Sequence, residues 1–125
     1  MNIFSPSTHR LASLAALAGS FLLCAAAIAA DDDKEVTVKG EVIDMACYLD
    51  HGASGAKHTD CAKKCIGMGL PVGIKGEDGK TYLLIGDHKP MNKELAELAA
   101  KTITVKAKLA TRDGINLLEN AEIVK

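Results

Sequence analysis

Five stretches of this chain alternate apolar and polar residues, and one helix-like stretch falls between the third and the fourth. That order is the tightest constraint the sequence places on its fold. Val36-Thr37-Val38-Lys39-Gly40-Glu41-Val42-Ile43 reads as a strand with a bend or bulge at Gly40. Leu70-Pro71-Val72-Gly73-Ile74-Lys75 is a second, its proline suited to a strand start or an edge. Gly76-Glu77-Asp78-Gly79 turns it into a third, Lys80 to Ile85. After the loop Asp87-His88-Lys89-Pro90, Asn92 is placed to cap a helix reaching Ala100, with Leu95, Leu98 and Ala99 as its apolar stripe. Thr102 to Leu109 alternates cleanly, Arg112-Asp113-Gly114 turns the chain, and Ile115 to Val124 closes it with a bulge near Asn120.

The first and second strands are separated by an insert, residues 44–69, unlike anything else in the chain. Cys47, Cys61 and Cys65 and the histidines His51 and His58 fall within nineteen residues of it. Its first half, around Gly52, Ser54 and Gly55, reads as loop. Its second half reads as a short helix that Thr59 or Asp60 can cap, that Ala62, Lys63 and Lys64 favour, and that Gly67 and Gly69 stop.

Residues 1–30 have the layout of a secretory signal peptide. His9 and Arg10 precede an uncharged apolar run, Leu11 to Ala29, which closes on Ala27-Ile28-Ala29 before the acidic Asp31-Asp32-Asp33. A retained anchor is the competing reading, but the run is rich in Ala and a cleavage pattern follows it. Cys24, preceded by Leu23, lacks the small residue a lipid-attachment signal needs, and it leaves with the leader. Cleavage makes the product periplasmic or secreted. It leaves about 95 residues, enough for one small core, with residues 31–35 as a charged leader and 36–125 as the domain. Without Arg10 the balance is 14 basic against 16 acidic residues. Near-neutral charge and two remaining aromatics, Tyr48 and Tyr82, argue against a nucleic-acid partner or an anionic membrane surface. The core has to be built from Val, Ile, Leu, Ala and Met.

With the insert set aside, the order strand, strand, strand, helix, strand, strand resembles the OB-fold, a five-stranded Greek-key barrel, mainly β, with one helix between strands 3 and 4. Cys47-Tyr48, His58-x-x-Cys61-Ala62-x-x-Cys65 and Gly69-Leu70-Pro71-Val72-Gly73 are similar to stretches of small exported bacterial proteins of this shape. That likeness implies location and fold rather than an activity. In the OB-fold the loop that holds the insert flanks the usual ligand face.

Three chemistries fit the insert. Cys61 and Cys65 are one helical turn apart, His58 precedes Cys61 by three and Cys47 enters from the first strand. Cys47, His58, Cys61 and Cys65 make a Cys₃His set, a tetrahedral zinc composition. Sulfur also suits copper(I), with Met45 or Met68 as thioether donors, and His51 can replace His58. The structural alternative is a disulfide from Cys47 to Cys61 or Cys65, closing about fourteen to eighteen residues for roughly 3 kcal/mol. The third is thiol redox chemistry at Cys61, in the first turn of a helix and near Lys63 and Lys64, with a second thiol to resolve a mixed disulfide. No Cys-x-x-Cys supports this last. The leading expectation is a transition-metal-binding module without enzymatic activity; the alternative is a thiol-redox or disulfide-stabilised domain binding another exported protein. His88 is expected in a solvated loop, Met68 and Met91 as gap-fillers, Tyr48 packed under the insert, and Lys101, Lys106 and Lys108 on a solvated face.

Overall fold

The computed structural model describes residues 34–124; the expected signal peptide, Cys24 and Asp31 to Asp33 lie outside them. Five strands, β1 (Lys34–Asp44), β2 (Val72–Gly76), β3 (Thr81–Leu84), β4 (Thr102–Arg112) and β5 (Ile115–Val124), close into a barrel in the order β1-β2-β3-β5-β4. All neighbours are antiparallel except β3 and β5, which pair in parallel. The long β1 closes the barrel, pairing with β4 through its first eight residues and with β2 through its last five. It starts at Lys34, so the last two residues expected in the leader are strand. Lys34 faces Leu109 and Glu35 faces Lys108.

Gly40 and Glu41 are paired on both sides, at the point where β1 passes from one neighbour to the other. Gly40 lies in register with Gly76, and a Cβ on it would run into the Lys75 carbonyl oxygen and stand 2.6 Å from Ile74 Cγ2. Only glycine lets the two backbones approach this closely. At the other end of the sheet the β5 bulge is where the sequence expects it. The β4–β5 register shifts between Lys106 and Lys108, and Asn120 takes a left-handed φ of 54°.

The core is aliphatic. Val42, Ile43, Ile66, Ile74, Leu84, Leu95, Val105 and Leu118 are fully buried. A short helix, Asn92–Leu95, continued by a 3₁₀ turn at Ala96–Leu98, runs between β3 and β4 and buries Leu95 and Ala99. Asn92 does not cap it. Its side-chain amide instead donates to the carbonyls of Ile66 (3.0 Å) and Leu70 (2.7 Å), tying this segment to the end of the insert. Among the described residues no helix is long and apolar enough to cross a membrane.

Tyr82 is the aromatic of the core, and its hydroxyl donates to Asp78 Oδ2 at 2.5 Å. Burial, then the hydrogen bond and charge of Asp78, push the phenol up to about 12. The same hydrogen bond holds the Asp78 carboxyl below its usual range. The raised phenol stabilises the fold fully below pH about 10, and this contribution is lost as pH rises toward the folded value. The depressed carboxyl contributes above pH about 4 and loses its share as pH falls through its folded value. Tyr82→Phe is expected to cost about 1 kcal/mol at neutral pH, and the difference from wild type should shrink toward pH about 12. Urea unfolding at both pH values checks this, and a pH-independent difference refutes it.

Candidate metal centre

The insert holds two helices where its sequence reads as a loop and one helix. The first, α1 (Met45–His51), begins directly where β1 ends. Asp44 makes that possible. Its side chain accepts hydrogen bonds from the backbone N–H of Ala46 (3.1 Å) and of Cys47 (3.2 Å), an N-cap. Gly52 ends the helix with a φ of 73°, its N–H donating to the Tyr48 carbonyl. Met45 is buried beneath, its sulfur filling the space that a side chain at Gly73 would take, so it is a core residue and no ligand. The signal was legible: Asp44, then Met-Ala-Cys-Tyr-Leu, then Gly52. It was missed because Asp44 reads equally well as a strand end and seven residues show little periodicity.

A 3₁₀ turn at Ala56–His58 leads into the second helix, α2 (Thr59–Gly67). The loop before it is tied down from both neighbouring strands. The Gly55 N–H donates to the Glu41 carboxylate, and Lys75 Nζ reaches Ser54 Oγ at 3.2 Å. Neither Thr59 nor Asp60 caps α2. The N-cap is His58, without a side-chain bond, and the Thr59 hydroxyl donates back to the Ala56 carbonyl at 2.9 Å. Ala62 and Ile66, four apart, bury one stripe of α2 in the barrel core. Cys61 and Cys65 form the adjacent stripe, turned by about 100° per residue, and so sit at the rim of the core facing α1.

There they meet Cys47. The three Sγ atoms lie within 4.8 Å of one another, at separations of about 4.1–4.2 Å. All three are free thiols, Cys61 exposed and the other two half-buried. The disulfide considered from the sequence is not formed: a bonded pair stands at about 2.05 Å. Two helices converge on a point between the sulfurs instead of on one bond.

His58 is not part of that mutual grouping. With Asp44, Cys47 and Cys61 it lines an adjoining cavity of about 10 Å³, room for one water-sized group. The expected stripe needs α2 to extend back through His58, but this residue has φ −105° and ψ 4° at the end of the 3₁₀ turn and is the N-cap rather than a residue of the helix. His51, the last residue of α1, has its ring 6.5 Å from that of His58 and its Nδ1 3.1 Å from Asp50 Oδ2. Met68 caps the C-terminus of α2 and is exposed. His88, far along the chain, pairs at the surface with Glu119 at 3.1 Å.

Asp44 is the buried charged side chain of the described residues, and it marks the electrostatics of the site. Its hydrogen bond, followed by burial, its charge and the neighbouring thiols, pushes the Cys47 thiol up to about 12. Cys65 is pushed up by burial first, then by its hydrogen bond to Cys61 and the charge of Asp44. Lys63, which the sequence offers as a thiolate-stabilising charge, is engaged by Glu97 at 2.7 Å. Three sulfurs beside a buried carboxylate make a place where thiolates are disfavoured until a cation arrives. Comparison with protein-family models, with curated proteins and with solved structures found no match, so the chemistry has to be read from this geometry.

Proposed function

We propose that this protein is an exported transition-metal-binding module whose ligands are the thiolates of Cys47, Cys61 and Cys65. The observation that carries the reading is the convergence of three free sulfurs, from two separate helices, to about 4.1–4.2 Å of one another. A tetrahedral zinc site with bonds of about 2.3 Å has its sulfurs about 3.8 Å apart, so the cluster is near ligand spacing before any ion is bound. Zinc or copper(I) is the ion that three thiolates select. For zinc, which closes on four ligands, His58 is the nitrogen donor to expect, completing the Cys₃His set from its place on the adjoining cavity.

The scaffold reading is an OB-like Greek-key barrel. The order β1-β2-β3-β5-β4 and the short helix between β3 and β4 support it. Export is supported by the layout of residues 1–30. The raised thiols of Cys47 and Cys65 tell against either of these two as an attacking thiolate, which needs a depressed pKa at neutral pH.

The test is metal analysis of protein purified from its native compartment, combined with thiol counting in the presence and absence of a chelator. Near-stoichiometric zinc or copper is expected, with three thiols becoming reactive only when the metal is stripped. A single reactive thiol whatever the chelator, with no bound metal, refutes the reading in favour of a disulfide.

A further inference from the structure

We propose that the site holds copper(I) by sulfur alone, in a plane defined by Cys47, Cys61 and Cys65, without a histidine ligand. This rests on the metal-binding reading above and names its ion. The shape of the triangle carries it. With sides of about 4.1–4.2 Å, its centre lies about 2.4 Å from each sulfur. An ion in the sulfur plane is thus already within about 0.1–0.2 Å of an ordinary metal–thiolate bond. An ion raised out of the plane toward a fourth ligand, as tetrahedral zinc requires, would stand about 2.5 Å away, and the sulfur–sulfur separations would have to close by about 0.4 Å, against about 0.2 Å for an ion in the plane.

The surroundings agree with the triangle. No histidine nitrogen or carboxylate oxygen of the described residues joins the sulfurs in their mutual grouping. The two methionines near the insert are committed elsewhere, Met45 to the core and Met68 to the surface. The carboxylate nearest the site, Asp44, accepts from the α1 backbone and from the Cys47 thiol, which it orients, and stands outside the sulfur grouping. A filled-shell, soft, monovalent ion is satisfied by three thiolates, whereas zinc with three protein ligands keeps an open fourth position. Exposure of Cys61 gives the ion a way in by ligand exchange. On binding, sulfur–hydrogen bonds are replaced by sulfur–copper bonds and the protons pass to solvent. Copper stays in the +1 state, so no electron moves.

The experiment titrates the reduced full chain, under nitrogen, with copper(I) supplied as its bicinchoninate complex, and in parallel with zinc against a chromophoric chelator. His51→Ala, His58→Ala and the double variant are titrated alongside, and the copper-loaded protein is examined by X-ray absorption. One copper per chain is expected, bound at least about a hundredfold more tightly than zinc. The first shell should hold three sulfurs at about 2.3 Å and no nitrogen, and the histidine variants should keep copper affinity within about threefold. A nitrogen in the first shell, a loss of more than about tenfold in His58→Ala, or tighter binding of zinc overturns the proposal while leaving the metal-binding reading intact. Uptake of neither ion overturns both.

Discussion

Cys65→Ser is expected to lower metal affinity by at least about a hundredfold while the barrel stays folded. Changes in groups that merely orient a ligand cost about 10–100-fold, so losing one of three ligands should cost no less. Cys65 stands on the rim stripe of α2, beside the buried Ile66 and outside the apolar core cluster. Its removal therefore takes a donor from the site without opening a cavity in the barrel. The unfolding midpoint of the metal-free protein should move by no more than a few degrees, about 1 kcal/mol for a domain of this size. Met68→Leu, a change of similar size at the exposed C-cap of the same helix, should alter neither quantity. Competition titration and thermal unfolding by circular dichroism read both. Wild-type affinity in Cys65→Ser would remove the site from this part of the molecule.

The second large effect is Ile66→Ala, expected to cost about 2–5 kcal/mol of stability. Ile66 is fully buried and, with Ala62, seats α2 in the barrel core. Two of the three sulfurs ride on that helix. Loosening it should therefore weaken metal binding as well, although no ligand is touched. Binding is linked to folding by mass action, so a metal at about one hundred times its dissociation constant should restore about 2.7 kcal/mol. Urea unfolding of both proteins, with and without copper(I), gives all four numbers. A loss below about 1 kcal/mol would show that α2 is not seated in the core.

Much of the barrel could be read from residue alternation because a half-buried strand imposes it. Each β4 residue that faces inward between Thr102 and Leu109 is apolar, and the residues that alternate with them are threonine or lysine. Local chemistry also marked the tight points, Gly40 where backbones cross and Asn120 where β5 bulges. The errors share one cause. Asp44, Thr59, Asp60 and Asn92 are all residue types that cap helices, and sequence alone cannot say which caps and which does something else. Asp44 caps, at the start of a helix that reads as loop. Asn92 reaches across to the carbonyls of Ile66 and Leu70. A side chain's choice of partner depends on what the fold brings within about 3 Å, which is not a local property.

The site divides along the same line. That the chemistry belongs to the stretch from Cys47 to Cys65 follows from composition, since thiols and imidazoles are scarce and, after residue 30, all three cysteines and two of the three histidines lie there. Spacing alone put Cys61 and Cys65 on one helical face, because four residues make about one turn. What only the tertiary structure decided is which other group joins them. Cys47, far off in sequence, arrives because Asp44 starts a helix at the end of β1 while Ile66 fixes the roll of α2 against the core. His58, much closer in sequence, stands outside the sulfur grouping, at the N-cap where the 3₁₀ turn gives way to α2. Nearness along a chain and nearness in space are separated by a few backbone angles, and those are set by packing at a distance.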